Sequence, residues 1–173
     1  MINVVKSKIR NIEDFPEKGI IFRDITTAIK DKEALRLTVD YLTEQLKDKK
    51  IDYVVGIESR GFIFGSALAY KLGAGLVLIR KPGKLPCATI SQTYELEYGT
   101  DEIHMHVDAV EEGSSVVIVD DLLATGGTAG AAIKLLEKAT ANVLAACFVI
   151  ELTELNGRSN FPENIDVISM VKY

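Results

Sequence analysis

The chain is poor in the residues that build covalent or metal-centred folds. Its two cysteines, Cys87 and Cys147, lie far apart and outside any metal-ligand spacing. They argue against a disulfide framework and read as reduced thiols in a reducing cytoplasm. The two histidines, His104 and His106, are spaced i, i+2, which puts both on one face of a strand with no third partner in sight. A surface or packing role suits them better than metal binding or acid–base work. No apolar run approaches the roughly 20 residues that a membrane span needs. Met1 to Arg10 lacks the apolar stretch of a secretory leader, so a cytoplasmic protein without a membrane partner is expected. Positive charge is short too: 20 Lys and Arg against 25 Asp and Glu leave a formal charge of -5. That is not the basic footprint of nucleic-acid binding, although a local cluster of Arg and Lys would still suffice for a small polyanion. Internal repeats and low-complexity tracts are also missing.

What is present is enough for one domain. The 173 residues are 47% apolar, which suits a single packed unit spanning residues 1–173 with a substantial core. Helical patterns run from Val4 to Arg10, from Asp31 (a candidate cap) to Lys47, from Arg60 to Leu72 and from Gly127 to Lys138. Strand patterns cover Asp52 to Ile57, Gly75 to Ile79, Val116 to Val119, Asn142 to Ile150 and Ile165 to Val171. Two β-α-β units follow. They imply an α/β fold: a central, mostly parallel twisted sheet with helices on both faces and ligands outside the C-terminal strand ends. Arg80 to Thr100 carries Gly, Pro and Thr without helical periodicity and is long for a connection. Its tip could form an irregular hairpin through Thr89, Ile90, Thr93 and Tyr94.

The most informative string is Val116-Val117-Ile118-Val119-Asp120-Asp121-Leu122-Leu123-Ala124-Thr125-Gly126-Gly127-Thr128. A buried strand ends on two carboxylates, and a Thr/Gly turn leads into a helix. Backbone N–H groups in such a turn and at a helix start have no partner within the helix, so they can hold a phosphate. Gly126 and Gly127 remove Cβ atoms from the anion's path, and Thr125 and Thr128 add hydroxyl donors. The carboxylates repel phosphate, but they suit ribose hydroxyls or a cationic centre that appears during reaction. A nucleotide-hydrolase P-loop would need Lys-Ser or Lys-Thr after its glycines, and a dinucleotide fingerprint would place its acid after the turn. Neither is met. Two more connections fall on the same sheet edge. Glu58-Ser59-Arg60-Gly61 offers a guanidinium at a helix start, and Arg80, Lys81 and Lys84 form a basic cluster beside Pro82-Gly83.

The string resembles the phosphoribosyl-pyrophosphate motif of the type I phosphoribosyltransferases, nearest to their adenine-specific members. The likeness continues through Pro16 to Ile25 (PEKGIIFRDI), Gly56 to Phe62 (GIESRGF), Ile79 to Pro86 (IRKPGKLP), Tyr94 to Gly99 (YELEYG) and Glu151 to Leu155 (ELTEL). The resemblance implies transfer of the 5-phosphoribosyl group of 5-phosphoribosyl 1-pyrophosphate to adenine, giving AMP and pyrophosphate. It implies 5′-phosphate contacts from Ala124, Thr125, Gly126, Gly127 and Thr128, and pyrophosphate contacts from Ser59, Arg60, Arg80, Lys84 and Tyr98. Adenine would meet Ile21, Phe22, Arg23 and Leu152. Glu97, Asp120 and Asp121 would be the catalytic carboxylates. A carboxylate at Glu97 could stabilise a positive ribosyl centre or accept the proton lost by the purine. The family also implies Mg²⁺ held mainly by substrate and water with no direct protein ligand, and a homodimer. A non-proline cis peptide is expected between Glu58 and Ser59, a small hood from N- and C-terminal segments (residues 1–30 among them), and a flexible active-site loop over 80–100. Two residues depart from the pattern: His104 stands at a position commonly acidic, and Cys87 at one often held by Gly.

Rival readings keep part of this picture. A 6-oxopurine or orotate phosphoribosyltransferase would change only the base, but the 6-oxopurine enzymes place a Lys downstream and Glu151 to Leu155 has none. A ligand-sensing regulator on the same fold would need a DNA-binding domain or a basic surface. A plain Rossmann-like module lacks its fingerprint.

Overall fold

Residues 1–96 and 99–173 are described in a computed structural model. The chain opens with helix α1 (Ile2–Lys8), strands β1 (Arg10–Glu13) and β2 (Ile21–Asp24), a short α2 (Thr26–Lys30) and the long α3 (Lys32–Leu46). Strand β3 (Tyr53–Ile57), helix α4 (Gly61–Leu72) and strand β4 (Gly75–Ile79) form the first β-α-β unit. Strands β5 (Thr89–Glu95) and β6 (Thr100–His106) follow. The second unit is β7 (Ser115–Leu123), α5 (Gly127–Lys138) and β8 (Asn142–Glu151). Two 3-10 turns (Thr153–Leu155 and Gly157–Asn160) lead to β9 (Asp166–Lys172).

The five strands β4-β3-β7-β8-β9 form one sheet in that order, every pair parallel. The inner strands β3, β7 and β8, buried on both faces, read as apolar runs rich in Val and Ile, the pattern a covered parallel sheet requires. One face packs Val54, Val117, Val119 and Val149 against Leu42, Phe64 and Leu68 of α3 and α4. The other packs Ile57, Ile118 and Phe148 against Leu135 and Leu136 of α5, with Ile103 and Met105 of β6 beside them. The expected α/β architecture with helices on both faces is therefore present. Asp31 caps α3 as anticipated, accepting the N–H groups of Glu33 and Ala34 at 3.0 Å each. No helix among the described residues is long and apolar enough to cross a membrane.

Three expectations need correction. The first helix stops at Lys8, and Arg10 lies in an antiparallel hairpin of β1 and β2, opposite Asp24, with which it forms an ion pair. The Arg80–Thr100 stretch is more regular than its composition suggested. β5 and β6 pair from Thr89↔His106 to Glu95↔Thr100. This hairpin lies along α5, where Lys138 Nζ donates to the Ser91 carbonyl at 2.9 Å. Its residues alternate polar and apolar, so one face is solvated and helical periodicity is absent. Third, the acid pair lies inside β7 rather than at its end.

That last point positions the site. The chain leaves β3 for β4 on one side of the sheet and leaves β7 for β8 on the other, so β3 and β7 flank a topological switch point. β3 pairs with β7 only as far as Gly56↔Val119, while β8 continues to Leu123↔Glu151. Residues 120–123 thus have a sheet neighbour on one side and a crevice on the other. A small hood of β1 and β2 closes one flank. It is tied to the C-terminus by the Arg23 guanidinium, 4.0 Å over the Tyr173 ring, and the preceding α1 is tied to β9 by Lys6 Nζ donating to Lys172 O at 2.9 Å.

Phe148 is fully buried beneath α5, and its ring meets Phe161 edge-on at 6.1 Å. Replacing Phe148 with Ala removes that filling and should lower unfolding free energy by about 3–5 kcal/mol in urea denaturation, with the m-value unchanged.

Candidate active site

Asp120 and Asp121 lie where the β3 ladder has stopped. The turn from β3 into α4 closes on them because Gly61 has no side chain. A Cβ there would lie 2.6 Å from the Val119 carbonyl oxygen and 3.1 Å from Asp120 Oδ1. Asp121 is buried and receives Arg60 Nε at 2.5 Å, while its own N–H donates to Asp120 Oδ1 at 2.8 Å. Burial, and then the charge of Asp121, push the Asp120 carboxyl well above the usual carboxylate range. Arg60 uses only Nε in this pairing. Its two terminal nitrogens have no partner among the described residues and remain available to an anion.

Across the crevice, the peptide between Glu58 and Ser59 is cis, as the motif led us to expect. Glu58, which sequence reasoning left without a role, organises the basic segment. Its Oε2 accepts the Lys81 N–H at 2.8 Å and Arg80 Nε at 3.2 Å. Burial would raise the Glu58 carboxyl, but these donors outweigh it and hold the group below its ordinary value. A pocket of about 350 Å³ lies between the acid pair and this wall, lined by Ser59, Arg60, Arg80, Lys81, Asp120 and Asp121 among others. Lys81 thus stands in the wall where Lys84 was expected. Lys84 is exposed, and its carbonyl accepts from Arg80 Nη1 at 3.4 Å. The Lys81 ammonium is held by Asp101 and by the Tyr94 hydroxyl, so the β5–β6 hairpin steadies the basic wall.

The Thr/Gly turn forms the other end. Gly126 adopts φ 81° at the start of α5, a conformation that favours glycine. Among the described residues, the N–H groups of Thr125 to Ala129 find no protein acceptor, and they surround a cavity of about 90 Å³. Asp120 and Thr128 line both this cavity and the larger pocket, so the two adjoin. Gly157 packs against the turn: its Cβ would strike the Ala124 carbonyl, just as a Cβ on Gly126 would strike the Gly157 carbonyl. Sequence reasoning passed over Gly157. The Asn156-Gly157 turn signal was its only mark.

The base-side residues are placed less closely. Ile21 is exposed at the tip of the hood, Phe22 meets Phe15 edge-on at 5.3 Å, and Arg23 stacks on Tyr173. Leu152 follows β8, its N–H bonded to the Leu123 carbonyl at 2.9 Å. None of these four lines the 350 Å³ pocket. Glu97 and Tyr98 lie outside the described residues. His104 and His106 share one face of β6, with His104 Nδ1 3.0 Å from Thr89 Oγ1. Among the described residues, no group of three or more His, Cys, Asp or Glu is arranged to hold a metal ion.

Residues 26–171 match the model of the phosphoribosyl transferase domain. Over 169 residues, 98% of each chain, the sequence is 55% identical to an adenine phosphoribosyltransferase of Clostridium novyi (strain NT). The structure is similar to the adenine phosphoribosyltransferase of Thermoanaerobacter pseudethanolicus, with a TM-score of 0.96, 50% identity and 100% of both chains covered. It is similar also to that of Saccharomyces cerevisiae, solved with an imino-altritol bisphosphate and adenine. There the TM-score is 0.92 at 41% identity, over 98% of this chain and 97% of the other.

The acid pair has a stability cost with a definite pH dependence. Because the folded Asp120 carboxyl titrates above its unfolded value, the native chain binds more protons between the two values, and stability falls as pH rises through that window. Asp120→Asn removes this penalty. Its melting temperature should exceed wild type by about 2–4 °C at pH 8, about 1 kcal/mol, and the gap should close as pH approaches 4. Equal melting temperatures at pH 8 would contradict the burial argument.

Proposed function

Since the chain belongs to the phosphoribosyl transferase family, we propose that it transfers the 5-phosphoribosyl group of 5-phosphoribosyl 1-pyrophosphate to adenine, forming AMP and pyrophosphate. It is a pentosyl transferase of purine salvage. The observation that carries this reading is one crevice with carboxylates in its floor and unpartnered amides at one end. An adenine enzyme is the specific reading because the relatives named above carry that name over nearly their whole length.

Ala124 to Thr128 would hold the 5′-phosphate through backbone N–H groups and the Thr hydroxyls, at the positive end of α5. Asp120 and Asp121 would accept the ribose 2′- and 3′-hydroxyls and offset positive charge on the anomeric carbon. Ser59, Arg60 (whose terminal nitrogens have no partner among the described residues) and Arg80 line the pocket where a pyrophosphate would lie, and Lys84, exposed outside that lining, is assigned to pyrophosphate on the matched segment alone. In the reaction the bond from C1′ to the pyrophosphate oxygen breaks with its electron pair, the purine nitrogen bonds to C1′, and its proton leaves. Glu97 is assigned to the base side of C1′ and Tyr98 to pyrophosphate, on the matched segment alone. Ile21, Phe22 and Arg23 of the hood, with Leu152, are assigned to adenine. A flat ring between Phe22 and an aliphatic side chain is well matched in shape and polarity.

The pocket also fits Mg²⁺ as a partner of the substrate. The diphosphate and ribose oxygens of the substrate, with water, would supply its hard oxygen ligands with no direct protein ligand, and the carboxylates of Asp120 and Asp121 would lie beside it on the ribose hydroxyls. Bound there, Mg²⁺ would neutralise charge on the departing pyrophosphate. We assign a homodimer, because Ile63 and Tyr70 of α4 and Leu76 and Leu78 of the edge strand β4 expose an apolar face. A cytoplasmic site fits the two unpaired thiols.

Pyrophosphate release should require adenine, 5-phosphoribosyl 1-pyrophosphate and Mg²⁺ together, should stop with EDTA, and should be far slower with hypoxanthine, guanine, xanthine or orotate. Rapid turnover of any of those bases would overturn the adenine assignment. Asp121→Asn should lower kcat by about 10²-fold while AMP affinity changes by less than about threefold. An equal loss in both would remove the electrostatic role.

A further inference from the structure

The amides of the phosphate cradle need an orientation, and something outside the motif must set it. The Thr125 carbonyl, which shares a peptide plane with the Gly126 N–H, accepts a hydrogen bond from Asn160 Nδ2 at 2.5 Å. A carbonyl only accepts, so the Asn160 amide nitrogen must be the atom facing it. The Thr125–Gly126 peptide is trans, and in a trans peptide the C=O and N–H point in opposite directions. Drawing the carbonyl toward Asn160 therefore turns the Gly126 N–H away from it, where no acceptor among the described residues meets it. In the opposite orientation the same plane would present a carbonyl dipole to the phosphate and withdraw one donor.

The turn that carries Asn160 is itself held firmly. Arg158 forks onto Glu151 with Nε at 2.6 Å and Nη2 at 2.8 Å, and its Nη1 donates to the Val167 carbonyl at 2.8 Å. Ser169 completes the network on Glu151. Two residues before Asn160's own neighbour on that turn, Gly157 presses on Ala124 and Gly126. On the helix side, a Cβ at Gly130 would already lie 3.4 Å from the Asn160 carbonyl oxygen. Asn160 thus reaches the cradle from a rigid mount anchored to the ends of β8 and β9.

We infer that Asn160 is a positioning residue of the phosphate cradle: its side-chain amide sets the Thr125–Gly126 peptide plane so that the Gly126 N–H is offered to the 5′-phosphate. The inference rests on the cradle reading given above and deepens it. It touches the phosphate only through the backbone, so its signature is a loss confined to phosphorylated ligands. AMP and adenosine are titrated by calorimetry against wild type, Asn160→Ala and Asn160→Asp, and melting temperatures are taken without ligand. Asn160→Ala should cut the preference for AMP over adenosine by about tenfold, equivalent to about 1.4 kcal/mol. Asn160→Asp, which sets a carboxylate against the Thr125 carbonyl, should cut it further. Both variants should melt within about 2 °C of wild type, since Asn160 is exposed. A preference within twofold of wild type in Asn160→Ala would overturn the inference, as would a matched loss for adenosine or a lowered melting temperature. A wild-type protein that binds AMP no better than adenosine would bring down the cradle reading itself.

Discussion

β7 has a hydrogen-bonded neighbour along its whole length on the β8 side, but on the β3 side the ladder stops at Val119. The remaining four residues are stiffened by one partner and left open to a crevice by the absence of another. A carboxylate placed there is held as rigidly as a sheet residue and is still reachable by a ligand. Had β3 run on, Asp120 and Asp121 would have been sealed between strands; had β8 stopped too, they would have sat on a loop. The switch point between β3 and β7 supplies the space, and Gly61 lets the first turn of α4 close one side of it.

Charge is distributed around that crevice so that each ionic group steadies another before any ligand arrives. Arg60 neutralises Asp121 with a single nitrogen, and Glu58 gathers Arg80 and the Lys81 backbone. Lys81 in turn is held by Asp101 and Tyr94. Asp120 has no cation of its own among the described residues, and burial together with the adjoining charge of Asp121 raises its carboxyl. A protein optimised for stability alone would not keep two carboxylates side by side in a partly buried strand. Their presence there is intelligible when a sugar with hydroxyl donors and a developing positive charge is to occupy the space above them.

Much of this was legible in the residues, because much of it is local. The apolar run of β7, the acid pair, the glycine turn and the small-residue stripe of α5 are contiguous, so composition and periodicity place them together. The first hairpin was missed because Arg10 reads equally well as the tail of a helix, and its pairing with Asp24 decides the matter from fourteen residues away. The β5–β6 hairpin was only half seen: its core contacts come from Ile103 and Met105, while Ser91, Gln92 and Glu102 read as loop. Asn160 on Thr125, and Arg158 on Glu151 and Val167, were invisible because nothing in a string of letters aims an amide at one carbonyl among many. Glu58 was in plain view within its motif, but its work depends on a turn geometry that brings two later residues onto one oxygen.

The facing glycines at 126 and 157 constrain how this protein can change over generations. The space a side chain would need at Gly126 is filled by the backbone of Gly157, and the space at Gly157 is filled first by the Ala124 carbonyl, so the nearest obstacle at each is backbone that cannot shrink in compensation. Shrinking a neighbouring side chain therefore does not by itself make room for a substitution at either glycine; the two backbone segments would have to part. The exposed neighbours Ser159 and Asn160 meet no such steric bar, so a change in how the cradle is held is open there while the cradle's own backbone is not.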